Sequence, residues 1–171
     1  FVGAEAGKGG TTSAPYSSGE NNTAVGYEAL TAFTTGHSNI AIGYQAMSAA
    51  TTAHDSIAIG YQALQYGGQD NNIGIGYQAG QTISSARYNV LIGDFAGQYL
   101  TTADTNENIM IGNAAGRFAD AATNAAHYNV YIGSGAGTYM DDGDSNVYIG
   151  REAGKGSGTG NNATSNVIVG Y

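Results

Sequence analysis

The chain has no cysteine, no tryptophan, a single proline and only five basic residues. Each shortage removes a class of protein. Without cysteine there is no disulfide framework and no thiolate metal site. Five Lys and Arg against 13 Asp and Glu, a net charge of −8, leave none of the clustered cations that nucleic-acid phosphates or anionic lipid headgroups need. No nucleic-acid partner is therefore expected. No run of about 18 apolar residues occurs, so no membrane insertion is expected. Charged residues make up 11% of the chain, too few for the highly charged, weakly hydrophobic composition of disordered segments. What the chain does hold is 28 glycines, without the three-residue period of collagen, and Val and Ile at regular intervals.

Those intervals are a repeat. The phrase Asn-Val/Ile-x-Val/Ile-Gly-x-x-Ala recurs around Gly3, Gly26, Gly43, Gly60, Gly76, Gly93, Gly112, Gly133, Gly150 and Gly170. Four of the nine steps between these glycines are 17 residues and the others run from 16 to 23, the variation that solenoid loops tolerate. Two β-branched residues with one residue between them, such as Ile57 and Ile59, have the period of a strand. The glycine is expected to end the strand with a bend or a positive φ. Ala three residues later (Ala29, Ala46, Ala63, Ala79 and so on) suggests a tight interior corner, and the position after it is Leu30, Met47 or Leu64 in three copies and Gly in six. The expected fold is all-β: a parallel β-roll or β-solenoid of about ten coils, residues 1–171 forming one repeat segment of a longer fibre. Ten coils at a strand spacing of roughly 4.8 Å make a rod of about 45 Å.

Four residues before each glycine stands Asn22, Asn39, Asn72, Asn89, Asn108, Asn129, Asn146 or Asn166, with Ser56 as the exception. Asn bonds nearby backbone in turns, and stacked copies can form an amide ladder, so a turn ladder is expected in preference to a row of ligand-binding amides. A second regularity links the residue between the β-branched pair to the residue after the glycine. Where the first is small (Ala24, Ala41, Ala58, Gly74) the second is Tyr27, Tyr44, Tyr61 or Tyr77. Where the first is large (Phe1, Leu91, Met110, Tyr131, Tyr148) the second is not aromatic, and only Ile168 with Tyr171 departs. Such exchange implies that the two share one space, since close packing enforces compensating volumes. The β-branched pair is thereby expected to face the roll interior. Tyr27, Tyr44, Tyr61, Tyr77, Leu91, Met110, Tyr131 and Tyr148 are expected to face outward, covered by further copies of the chain. A thin rod has little core of its own, which also favours self-association.

The phrases Asn22-Thr-Ala-Val-Gly-Tyr-Glu-Ala-Leu30 and Asn39-Ile-Ala-Ile-Gly-Tyr-Gln-Ala-Met47 closely resemble repeats of bacteriophage tail fibres, and are similar to the head repeats of trimeric autotransporter adhesins. The resemblance implies a homotrimer, each chain a left-handed parallel β-roll with its strands toward the three-fold axis. It implies an extracellular place on a virion tail fibre or a cell surface. It also implies a structural and adhesive role in host attachment, with a surface glycan or protein as receptor. The adhesin head coils are shorter, and Leu91, Met110, Tyr131 and Tyr148 stand where those have a small residue.

No constellation for catalysis is legible, and no enzyme activity or cofactor is expected. His37, His54 and His127 precede strands; His37 and His54, 17 residues apart, are expected to stack, but a third metal ligand is missing. Asp141, Asp142 and Asp144 form the densest acidic run, a weak calcium candidate whose spacing fits neither the twelve-residue calcium loop nor the calcium-roll nonapeptide, so a solvated loop is expected. Gly154 to Gly160 lacks the Gly-Lys-Ser/Thr ending of a phosphate loop. Hydroxyl pairs (Thr11-Thr12, Thr34-Thr35, Thr51-Thr52, Ser84-Ser85, Thr101-Thr102) suggest a second outer strand or turn, or an ice- or glycan-binding array. The alternatives to a fibre segment are an extracellular filament subunit, a polysaccharide-cleaving tailspike and an ice-binding solenoid.

Overall fold

The structure is a computed structural model; it describes residues 1–9, 18–67, 69–100, 105–117, 126–140, 143–157 and 163–170. Among these residues the chain is all-β with no helix, a β-solenoid built on a single parallel sheet. Nine strands of three residues each contribute: β1 Thr23–Val25, β2 Ile40–Ile42, β3 Ile57–Ile59, β4 Ile73–Ile75, β5 Val90–Ile92, β6 Ile109–Ile111, β7 Val130–Ile132, β8 Val147–Ile149 and β9 Val167–Val169. Their order in the sheet is their order in the chain, and equivalent residues pair, as Ala24 with Ala41 and Leu91 with Met110. The repeat at Gly3 adds an isolated parallel bridge from Val2 to Val25.

The strands stop at three residues because the glycine stops them. The ten repeat glycines have φ between 125° and 135°, which a side chain rarely adopts. A Cβ on Gly26 would also lie 2.6 Å from the carbonyl oxygen of Gly43 in the next coil. Both the dihedral and the close stacking of coils therefore demand glycine. The chain then turns tightly, with the Ala46 N–H donating to the Gly43 carbonyl at 3.4 Å, and Ala29, Ala46, Ala63, Ala79, Ala96, Ala115 and Ala136 are fully buried at this corner. Hydrogen bonds between coils continue around the corner: Gln45 N–H donates to the Tyr27 carbonyl, and Met47 N–H to that of Ala63.

The faces of the strand are the reverse of the sequence expectation. The middle residue points inward: Ala24, Ala41, Ala58, Leu91, Met110, Tyr131 and Tyr148 are at most 1% exposed. The β-branched pair points outward, as Val25, Ile40, Ile42, Ile59, Ile109, Ile132 and Ile149 are each 36–39% exposed. Leu91, Met110, Tyr131 and Tyr148 thus fill their own coil and cannot line a face between chains. The physical reason lies in which side chain competes with them. A Cβ added to Gly97 would strike Leu91, one on Gly116 would strike Met110, and ones on Gly137 and Gly154 would strike Tyr131 and Tyr148. In β1, β2 and β3 the middle residue is Ala and the same corner carries Leu30, Met47 or Leu64, each buried. One interior space is filled either from the strand or from the corner, at constant volume, as close packing requires. The coil of β4 has Gly74 and Gly80 at both places, and its space is taken by Leu64 from one side, Leu91 from the other and the buried Ile83. Tyr131 and Tyr148 stack inside the roll with ring centroids 5.1 Å apart.

Candidate functional site

The asparagines form a continuous internal ladder. The Asn22 Oδ1 accepts from the Asn39 backbone N–H at 2.9 Å and from its Nδ2 at 3.1 Å. The pattern repeats from Asn72 to Asn89, from Asn89 to Asn108 and from Asn129 to Asn146. From Asn22 to Asn146 each Nδ2 also donates to a carbonyl in the turn below, such as Asn108 to Ala126 at 2.8 Å. Ser56 keeps the column intact: its N–H donates to Asn39 Oδ1, and its Oγ accepts from the Asn72 N–H at 3.1 Å. From Asn39 to Asn146 these side chains are buried and partnered, so they hold turns and offer nothing to a ligand. The left-handed residue of this turn is the one before the asparagine, at Asn21, Ser38, Asp55, Asn71, Tyr88, Glu107, Tyr128, Ser145 and Ser165.

Glutamine side chains form a second ladder, which the repeat phrase does not mark. Gln45 donates to Glu28 at 2.6 Å, Gln62 to Gln45 at 2.8 Å and Gln78 to Gln62 at 2.8 Å, while Gln65, Gln81 and Gln98 join from a parallel column. The signal was available: polar residues stand two and five after successive glycines. Beside it runs an exposed aromatic ladder. Tyr27, Tyr44, Tyr61 and Tyr77 are 41–46% exposed. They stack at 5.4, 5.1 and 5.0 Å with planes within 16°. It ends at Phe95, which meets Tyr77 edge-on and carries the Arg117 guanidinium over its face at 5.0 Å.

The candidates for chemistry resolve into structure. His37 and His54 do stack, at 4.0 Å, and the His54 Nδ1 accepts the His37 backbone N–H at 3.2 Å. His127 leans on Tyr128, and its backbone N–H donates to Asp144 Oδ1 at 2.9 Å. Among the described residues no three His, Asp or Glu side chains are placed to hold a metal. Asp141 and Asp142 lie outside the described residues, as do Thr11, Thr12, Thr101, Thr102, Tyr171 and the end of the Gly154–Gly160 stretch. Thr34-Thr35, Thr51-Thr52 and Ser84-Ser85 sit in bends and not in a strand, with Thr34 Oγ1 donating to the Thr51 carbonyl at 3.0 Å. Shallow depressions exist beside Glu20, His37 and Ser38, and between Tyr88, Val90, Glu107 and Ile109.

What remains is the outer face of the sheet. Two columns run along it from β1 to β9, Val or Ile at every place but Thr23, with at least one side chain more than a third exposed in every strand except β4 and β5 and the tyrosine ladder along one edge. A contiguous apolar stripe of this kind marks an interaction surface in soluble proteins. Fully burying such a side chain is worth about 1.5–3 kcal/mol, so covering its exposed third contributes on the order of 0.5–1 kcal/mol per residue.

Comparison of the chain with known protein-family profiles, with characterised proteins and with solved structures finds no match. No helix among the described residues is long and apolar enough to cross a membrane.

Proposed function

We propose that this chain is a structural and adhesive segment of a homotrimeric fibre, a shaft or head that supports attachment of a virion or cell to a glycan or protein receptor. The observation that carries the reading is the outward Val and Ile stripe, present on every strand from β1 to β9. A strand needs only its inward residue to fill this roll. A second, solvent-facing apolar column costs solubility unless other copies cover it. The resemblance of the repeats to tail-fibre and adhesin-head sequences supports three copies around an axis along the rod, with the stripe turned toward that axis. The side chains of the stack are committed to ladders, and shallow depressions replace a cleft, which favours support over catalysis.

Electron microscopy of the native particle with an antibody against this segment tests the role. Labelling of a tail fibre or a surface projection is expected. Labelling of free, open-ended filaments, or of a soluble protein released from cells, would contradict it.

A further inference from the structure

Two exposed rows border the Val and Ile stripe, one at each end of the strands. The first is the residue after each glycine: Tyr27, Tyr44, Tyr61, Tyr77, Asp94, Asn113, Ser134 and Arg151. The second is the left-handed residue five before it: Asn21, Ser38, Asp55, Asn71, Tyr88, Glu107, Tyr128 and Ser145. Both rows are exposed along their whole length. In seven of these eight coils one edge carries a large side chain and the other a small one, and in the sixth Asn113 and Glu107 are close in size. The first four coils have it after the glycine, the coils of Tyr88 and Tyr128 have it before the strand, and the eighth has Arg151 opposite Ser145.

The two edges of one coil are separated by the strand itself, so nothing within a single chain makes them compensate. The left-handed position makes the pattern more telling. Small Asn, Asp and Ser suit it, and they occupy it wherever the other edge is large. Tyr88 and Tyr128, with φ of 60° and 58°, replace them where the opposite edge is Asp94 or Ser134. Both rings lie on the surface, 56% and 58% exposed, where a second copy can cover them.

We infer that the edge after the glycine in one copy meets the edge before the strand in the next copy, at the same height; this rests on the self-association proposed above. The contact is heterologous and closes into a ring around the rod axis. The register follows from the switch between β4 and β5, which both edges share. Shifting one copy by a coil would set Tyr77 against Tyr88 and Asp94 against Glu107, a crowded pair and a repulsive one. Shifting it the other way would set Arg151 against Tyr128 and leave Asp94 facing Asn71 across a gap. Zero offset avoids these clashes and gaps, pairing large with small in seven of the eight coils. The depression between Tyr88, Val90, Glu107 and Ile109 lies on the edge that would receive Asp94 and Asn113.

The chain has no cysteine, so introduced thiols can be read without interference. Single variants Ser38→Cys and Tyr44→Cys, each checked for fold by circular dichroism, are refolded together and oxidised mildly. A covalent dimer is expected from the mixture and not from either variant alone. Tyr128→Cys mixed with Ser134→Cys should behave in the same way, and Ser38→Cys mixed with Tyr77→Cys, two coils away, should give at least tenfold less product. Links between two Ser38→Cys chains, or preferential links to Tyr77→Cys, in a protein whose mass shows several copies, would overturn the register and leave the assembly intact. A wild-type protein with the mass of one chain would instead overturn the self-association on which it rests.

Discussion

The coils of β1 to β3 and those of β5 to β8 solve one packing problem in opposite ways. The early coils place Ala on the strand and Leu or Met at the corner. The later coils place Leu, Met or Tyr on the strand and glycine at the corner. Leu30, Met47 and Leu64 hold φ near 50° at that corner, so a side chain is tolerated there when the strand leaves room. The corner glycines of the later coils are consequently dictated by volume more than by backbone freedom. The β4 coil, small at both places, is the junction where neighbours lean in from either side.

The largest effect should come from filling both places at once. Gly137→Leu drives a side chain into the Tyr131 ring. Denaturant unfolding should show a loss above ~3 kcal/mol or no folded protein, overpacking with no room to relax being the most costly core change. Tyr131→Ala combined with Gly137→Leu rebuilds the early type of coil and should recover most of the loss. Full tolerance of the single variant would mean that strand and corner do not share one space.

The asparagine column is common to both regions, so its loss should cost the same in each. Asn89→Ala takes the buried acceptor from the Asn108 N–H and removes the amide that donates to the Thr105 carbonyl, an expected loss of ~2–4 kcal/mol on unfolding. Asn39→Ser should cost less than half of that, because Ser56 already carries one rung with a hydroxyl.

The remaining effects are smaller. The Tyr131 hydroxyl is buried beside Asn146, whose amide is committed to Asn129, Ala163 and Asn166, and it makes no hydrogen bond. Tyr131→Phe should therefore be neutral or stabilising by up to ~1 kcal/mol in thermal melts. Burial pushes this phenol well above its ordinary value near 10. Above that pH the unfolded chain releases a proton that the folded chain keeps, so stability should fall as pH rises past 10, and Tyr131→Phe should soften the fall. On the outside, Tyr61→Ala removes two stacking contacts and should cost about 1 kcal/mol.

Much of this was legible in the chain. The period, the three-residue strands, the role of Gly26 and its equivalents, the corner alanines, the Asn22–Asn166 ladder and the His37–His54 stack all follow from local rules at a fixed spacing. The direction of the faces did not. Alternation says only that Ile40 and Ile42 share a side, and a narrow coil, unlike a broad sheet, can reserve its interior for the single residue between them. The exchange of Ala41 for Leu91 runs parallel to a change at the nearby Tyr44, but its partner in space is the corner, Met47 against Gly97. That partner lies six residues on, across a turn whose path depends on two left-handed residues that the sequence does not mark. The place of Tyr88 and Tyr128 is hidden for the same reason, since nothing local shows that their position borders the strand.

Copies of the same chain covering the outward Val and Ile face would multiply the mass of the particle in solution. Light scattering on the purified segment measures this directly. A mass three times the 17.3 kDa of one chain, unchanged on dilution through the micromolar range, is the expected result. A stable particle with the mass of one chain would contradict the account.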